Sequence, residues 1–510
     1  MPQVVQQGQI NTAALSVADL YVTIVPPQLL INGVATNVIG LVCTASWGQV
    51  NGSPGIVGSY ASHALQYGPM QARKYDGGTA VFNIYQQGNQ PVVMVSRVTD
   101  GSDVAATVIV QTNCLTLTSK FTGSLANKDQ ASIGPGSAVG TFKVVLTRPG
   151  QVGEVFDNIA GTGNALWVNI ANAINLGQFG ARGPSNLFIA TAGAGTTDPT
   201  TAVYTASGGT DGADTVTGST LLGVDSLPRS GLYALRGSGA QIGMLTDCDD
   251  STTWTAQIAY GLGEGTYMVA CGPSGDTINN AVSVKASAGI DSYALKLMLG
   301  DWVYFNDTTN GQIRLTSPQA FVAGQLGNLA PNQSTLNKPM NGIVGTQKSV
   351  TGVKYTNAEL QVLANAGIDV ICNPIPYGSV FGCRNGRNTS SNVSIRGDNY
   401  TRMTNFIAFT IASGLGKYVG TLNTPEQRLE AKATLDLFFF NVQQQGLIGS
   451  RSGPDAWNTV LDDTNNPDSR VSLGYEQADV QVKYQSVTEF FLVNMQGGQT
   501  VTITKTTTTN

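Results

Sequence analysis

A 510-residue chain with a single histidine has little to run acid–base chemistry with. That residue is His63, in "SYASHALQYG", which reads as an ordinary short helix. A hydrolytic triad needs a base beside its nucleophile, so any triad would have to use His63, and a place in the fold is the stronger reading. The six cysteines, at 43, 114, 248, 271, 372 and 383, form no CxxC pair. Zinc sites need clustered Cys and His at ligand spacing; this scatter reads as buried free thiols in a reducing compartment. No phosphate loop of the G-x-x-x-x-G-K-[ST] type occurs. "GLGEGT" at 261–266 lacks the rest of a dinucleotide fingerprint and reads as a loop. "DCDD" at 247–250 has the residues for a cation but reads as a solvated loop. "RGD" at 396–398 is a three-residue match of the kind chance supplies, with Asp398 capping the helix that follows. The N-x-[ST] sites at Asn332 and Asn388 matter only in a secreted chain. No catalytic, cofactor-binding or metal residue is assigned, and the expectation is a protein that is not an enzyme and uses no cofactor.

Composition points the same way. Charged residues make up 12%, against about 25% in ordinary soluble proteins. Sixty-one glycines and abundant Thr, Ser and Asn suggest β-structure with many turns. Low charge fits a surface covered by neighbours, because interface cores are depleted in charge; it fits a secreted β-protein equally well. The net charge of −5 and the lack of a polybasic stretch make nucleic acid a poor partner. The opening residues show neither a basic n-region nor an apolar h-region. Runs such as "VIGLVC" and "LDLFFFNV" fall far short of the ~18 residues of a membrane span.

The elements that would position any site alternate between classes. Residues 28–102 read as α/β, with "TNVIGLVCTAS" and "QPVVMVSRV" as strands buried on both faces. Residues 103–205 read as a β-rich unit with one helix, "NALWVNIANAIN", closing in the Gly/Thr-rich run "AGAGTTDPTTAVYTASGGTDG". Residues 206–350 return to α/β, with "QIGMLTD", "TYMVACG" and "LGDWVYFND" as strands. Residues 351–494 open on a helix with a Thr356/Glu359 capping box and Gly367 beyond its end. A helix through "NYTRMTNFIAFTIASGLG" carries Met403, Phe406, Ile407, Thr410 and Ile411 in one stripe. In the next helix, 425–445, Thr424 and Gln427 form the capping box, Pro425 takes the first position and Gly446 ends it. Its stripe is Leu429, Ala433, Leu437 and Phe440, widened by Leu435, Phe438, Phe439 and Val442. "ADVQVKYQ" and "VTEFFLVNM" follow as strands.

The two ends of the chain are alike. Residues 1–27 read as an extended arm with a strand at "DLYVTIVPP", where Leu20, Val22 and Ile24 face one way, Tyr21 and Thr23 the other, and Pro26 stops the ladder. Residues 495–510 read as a second arm, with Val501 and Ile503 on one side of a strand and Thr500, Thr502 and Thr504 on the other. A strand outside the packed body needs a sheet edge elsewhere, and β-augmentation of another chain supplies one.

Four stretches resemble the tail sheath proteins of contractile bacteriophages: "LTSKFTGSLANK" at 117–128, "YTASGGTDGADTVTGSTLLG" at 204–223, "SYALKLMLGDWVYFNDTTNGQIRLTSPQAFVAGQLG" at 292–327, and "GIDVICNPIPYGSVFGCRNGRNTSS" through "NYTRMTNFIAFTI" at 367–411. They keep the family's order across nearly the whole chain. The resemblance implies an α/β core built from the N- and C-terminal parts, a β-rich outer insertion at 103–205, and a non-catalytic, subtilisin-like α/β domain at 206–350. It implies a structural subunit that polymerises as stacked hexameric rings around a tail tube and contracts to drive the tube through the host envelope. A sheath of a phage-derived injection machine, or a capsid or surface-layer protein, is the alternative. The implied partners are further copies of the chain, the tube, and baseplate and terminator proteins, with no nucleic acid and no membrane insertion. The implied location is a virion tail assembled in the bacterial cytoplasm. The tube-facing candidate is the charged side of the 425–445 helix, Glu426, Arg428, Glu430, Lys432 and Asp436, weighed against an ordinary solvated face.

Overall fold

The computed structural model describes residues 4–7, 21–24, 33–88, 91–496 and 499. Its central element is a six-stranded sheet, ordered in space Leu295–Met298, Tyr267–Cys271, Ile242–Leu245, Val38–Cys43, Val92–Arg97, Gly55–Val57. The first five strands run parallel and the last is antiparallel. Such strands must be covered on both faces, which is why they read as unbroken apolar runs. The period of two sorts their side chains. Ile39, Leu41 and Cys43 enter one core with Val93, Met244 and Phe321, while Val42 enters the other with Met268, Leu295 and Trp254. The helices Tyr60–Tyr67, Gly77–Tyr85 and Gln319–Asn328 cover the first face; Trp254–Glu264, Ile278–Ser287 and Asn357–Ala366 cover the second. The sheet draws strands from 38–97 and from 242–298, so stretches that sequence reading assigned to separate units share one core.

Residues 107–205 build two antiparallel sheets around a separate core. One orders Glu154–Ile159, Phe142–Thr147, Gln130–Pro135, Ala202–Thr205; the other orders Phe188–Ala192, Leu115–Ser119, Thr107–Gln111. The helix Gly163–Leu176 packs its Leu166, Trp167, Ile170 and Ile174 into the same core. The strand Ala202–Thr205 lies inside the Gly/Thr-rich run read as boundary or loop. Trp47 crosses from the α/β body into this core, donating from Nε1 to Ser119 Oγ at 3.1 Å. The Arg148 guanidinium lies 3.8 Å over the Trp47 ring and holds Asp129 with two bonds of 2.7 and 2.6 Å.

A fourth core lies at the carboxy-terminal end. The helices Asp398–Leu415 and Pro425–Gln444 bury Met403, Phe406, Leu435 and Phe439 against the small sheet Trp457–Val460/Asp479–Val482.

Several expectations change. "GLGEGT" is the last turn of the 254–264 helix, closed by Gly265 in the left-handed region (φ 61°). Asp398 is not the cap: Gly397 takes that position, and the Asp398 side chain turns into the protein. "VTEFFLVNM" forms no strand, because no edge among the described residues pairs with it. Near the amino terminus Tyr21–Ile24 pairs in parallel with Val4–Gln7 of the same chain. Leu20 and Thr500–Thr504 lie outside the described residues.

Candidate functional site

In doubly wound sheets a ligand sits beyond the carboxyl ends of the strands, where the strand order reverses. Here that point lies between Val38–Cys43 and Ile242–Leu245. The crevice is filled. Asp247, in a left-handed conformation (φ 49°), accepts from Thr316 Oγ1 at 3.1 Å and Ser317 N at 2.9 Å, so the end of the Gln312–Thr316 strand plugs it. Thr44 on the opposite side is tied by its backbone to Tyr75 and Gly77. "DCDD" is thus not a solvated loop throughout. Asp247 is buried, Asp249 pairs with Lys74 at 2.8 Å, and Asp250 caps the 3-10 turn at 251–253.

His63 lies in its predicted helix, 1% exposed, with neither ring nitrogen hydrogen-bonded. Its ring stacks on Tyr67. Burial pushes its pKa down to about 4. A group held neutral and sealed from solvent binds no substrate; His63 is a packing residue. All six cysteines are free and buried.

The strongest electrostatic feature is structural too. Lys296 Nζ, fully buried, donates to Asp369 at 2.7 Å and to Asp398 at 3.1 Å. Asp398 also accepts from Tyr267 OH at 2.6 Å and Thr335 Oγ1 at 2.5 Å; Asp369 accepts from the backbone of Val370, Asn385 and Gly386. Burial would lower the Lys296 pKa, but the two carboxylates outweigh it and hold the ammonium above its ordinary value. Burial would raise Asp398, and Lys296 with Thr335 and Tyr267 holds it low instead. The knot joins the edge strand Leu295–Met298, the 385–387 loop and the start of the 398–415 helix, and every oxygen is satisfied. Nothing in sequence marked it, because its three charged members are 29 to 102 residues apart and Tyr267 lies 131 from Asp398.

Open surface is concentrated at the carboxy-terminal end. The strands at 457–460 and 479–482 each have one sheet neighbour among the described residues, leaving an unpaired edge on either side. A groove of about 800 Å3 runs beside Val480, Val482 and Tyr484, floored by the apolar side chains of the 398–415 helix. Past it, Phe490, Phe491, Leu492, Val493 and Met495 are between 72% and 89% exposed.

The 425–444 helix is rotated from its predicted setting. Leu435, Phe438, Phe439 and Val442 form its buried side, together with Arg428 and Gln443. The predicted main stripe faces outward: Leu429 is 64% and Phe440 48% exposed. Arg428, expected on the charged face, is buried and donates to Asn423 Oδ1 at 2.7 Å and Asp463 Oδ1 at 2.6 Å. Glu426 and Glu430 are exposed, and Lys432 pairs with Asp436 at 2.9 Å. Thr424 does cap the helix, accepting from Gln427 N at 3.2 Å, but the Gln427 side chain is buried without a partner and does not close the box. These surfaces can pair backbone and bury apolar area against another molecule. They bring no nucleophile and base together.

No protein family and no curated protein matches the chain by sequence. Solved structures match it in fold. A sheath tail protein from Desulfitobacterium hafniense superposes with a TM-score of 0.59 at 16% identity, over 88% of this chain and 94% of that one. A sheath tail protein from Listeria innocua gives 0.60 at 12%, over 84% and 89%. The helical sheath of the anti-feeding prophage in its contracted state gives 0.54 at 14%, over 95% and 99%. The fold is therefore that of the sheath tail proteins of phage tails and phage-derived injection systems.

Proposed function

We propose that this chain is the structural subunit of a contractile tail sheath. Copies polymerise as stacked hexameric rings around a tail tube, and contraction drives the tube through a host cell envelope. The observation that carries this reading is the near end-to-end correspondence with a contracted helical sheath, 95% of this chain on 99% of that one. The plugged crevice and the buried His63 support a structural role over an enzymatic one. The 242–298 half of the sheet is the part to which the subtilisin-like likeness applies, without a triad. The 107–205 unit is the outer insertion.

In this reading the partners are other copies of the chain, the tube, and baseplate and terminator proteins, in a virion tail or a related injection machine. Tyr21–Ile24, by the edge opposite its Val4–Gln7 partner, and Thr500–Thr504 are the inter-subunit arms, and the free edges at 457–460 and 479–482 receive them. Each backbone bond contributes about 1 kcal/mol net, so a short strand adds a few per arm, repeated over every subunit. The outward side of the 425–444 helix, now Glu426, Leu429, Glu430, Lys432, Asp436 and Phe440 without Arg428, is the tube-facing candidate.

Negative-stain microscopy of the purified chain tests the proposal. Striated tubes are expected; flat sheets or closed shells would favour a surface-layer or capsid protein. Deleting 499–510 is expected to leave folded monomers that form no tubes. Normal tubes from the deleted chain would remove the arm assignment while leaving the sheath reading intact.

A further inference from the structure

The last tether before the chain leaves the body is a single carboxylate. Glu489 Oε2 accepts from Arg396 Nη2 at 2.9 Å and from Arg387 Nη2. Both arginines sit at the base of the 387–397 loop, where Asn388 N donates to Arg396 O at 2.8 Å and Asn388 Nδ2 to Ile395 O at 2.7 Å. Arg387 is itself fixed through Nη1 to Ala364 O at 3.3 Å. Upstream, Asn399 Nδ2 holds Gln485 O at 3.1 Å, and the Gln485 side chain donates to Gly449 O. Downstream the pattern stops. Among the described residues no hydrogen bond or ion pair holds 490–496, and their large apolar side chains stand in solvent.

The exposed stretch starts next to a site that would suit it. The groove of about 800 Å3 is lined by Leu336, Val393, Tyr400, Ile407 and Ile411 together with polar groups such as Asn385, Arg396 and Asn399, and Glu489 is among its lining residues. "FFLVNM" is apolar, and burial of apolar surface is favourable wherever it is within reach. Nothing in composition would keep this segment out of its own groove, and the tether lies one residue before it.

We infer that the Glu489–Arg387–Arg396 clamp fixes where the carboxy-terminal segment leaves the body, and holds Phe490–Met495 off the chain's own groove. That groove and that segment then both stay available to a second copy. The inference rests on the sheath reading for its purpose, though not for its physics. Glu489 is a positioning residue: it acts by setting the exit of the residues after it. Two arginines suit this task, because a charge-assisted bond to each defines a direction as well as an attachment.

The test is hydrogen exchange on the full-length soluble chain, read on peptides covering 485–496, for wild type, E489Q and E489D. In wild type, 490–496 is expected to exchange at the rate of free chain. In E489Q the segment folds back, and its exchange slows about tenfold or more while thermal stability changes little. E489D, which keeps the charge, is expected to return most of the wild-type behaviour, and E489Q to assemble more slowly than wild type. Unchanged exchange at 490–496 in E489Q would overturn the inference. So would faster exchange at 485–489 with no protection beyond it, which would make the clamp a simple tether. Failure of wild type to form tubes would count against the sheath reading alone, since the exchange comparison is made on the soluble protein.

Discussion

The sheet body and the carboxy-terminal end solve opposite problems. In the body, polar groups are sealed in and satisfied: Lys296, Asp369 and Asp398 are all fully buried, and each carboxylate has several donors. At the carboxy-terminal end apolar groups are left out: Leu429, Phe440 and Phe490–Met495 face solvent although large buried cores lie nearby. A protein that only had to fold would bury the second set. The contrast separates a part that must not change from a part completed by something else. The sharpest way to break it is to show that the body tolerates losses or that the end does not.

The largest effect is expected at Lys296. K296M leaves two carboxylates buried without their counter-ion, which costs about 3–5 kcal/mol. Urea unfolding of the variant should show this, and a loss under ~1 kcal/mol would mean that water enters the knot. Replacing Phe491 or Leu492 by Ser should leave monomer stability within about 0.5 kcal/mol while abolishing or slowing assembly.

Next comes the 425–444 helix, where the two sides can be compared directly. F439A removes a fully buried ring and is expected to cost about 3–4 kcal/mol. F440S changes an outward residue and should cost under ~1 kcal/mol. Equal costs would mean that the helix is set as the sequence suggested.

This helix also shows where sequence reading fails. The core strands were legible because a parallel sheet must be covered on both faces and few other patterns read as "VIGLVC" or "YMVAC". The Thr356/Glu359 box was legible because capping is local, and both of its halves form. The 425–444 helix is apolar around more than half its circumference, so two stripes compete, and tertiary partners decide. Arg428 ends on the buried side, bonded to Asn423 and to Asp463 35 residues away, while the Leu429 side faces out. "VTEFFLVNM" has strand composition, but a strand exists only with a partner, which composition cannot supply. The 800 Å3 groove and the Glu489 clamp depend on long-range approach, for which a single sequence carries no signal.

His63 gives a graded test of the sealed body. Its pKa is pushed from 6.5 to about 4 by burial. The unfolded chain therefore takes up the proton first, and stability falls as pH drops from about 6.5 towards 4. The loss reaches roughly 3 kcal/mol once pH is below the folded value. Asp76 acts in the opposite sense: burial raises its pKa to about 6, so the folded state gains a proton as pH falls from 6 towards 3.8. The two partly cancel in wild type. The stability difference between wild type and H63L isolates the histidine, and it should shift in favour of H63L by up to about 3 kcal/mol between pH 7 and pH 4. A pH-independent difference would place His63 in contact with water.

The smallest effect expected in the monomer is at Lys432 and Asp436. They form an i,i+4 pair at 2.9 Å, with side chains 32% and 38% exposed. Such a pair contributes about 0.3–0.5 kcal/mol, less in salt. D436K should therefore move the unfolding midpoint barely at all, and a swapped pair, K432D with D436K, should restore what little is lost. If this side of the helix meets the tube, the same substitutions report quite differently in assembly. A partner surface shaped to Glu426, Glu430 and the 432–436 pair would meet reversed charge, and like charges across an interface cost several kcal/mol. Co-assembly with the tube should then fail for D436K and for the swapped pair alike, although the swap restores the monomer. Were the swap to rescue both, the pair would belong to the fold, and the outward face of this helix would need its partner elsewhere.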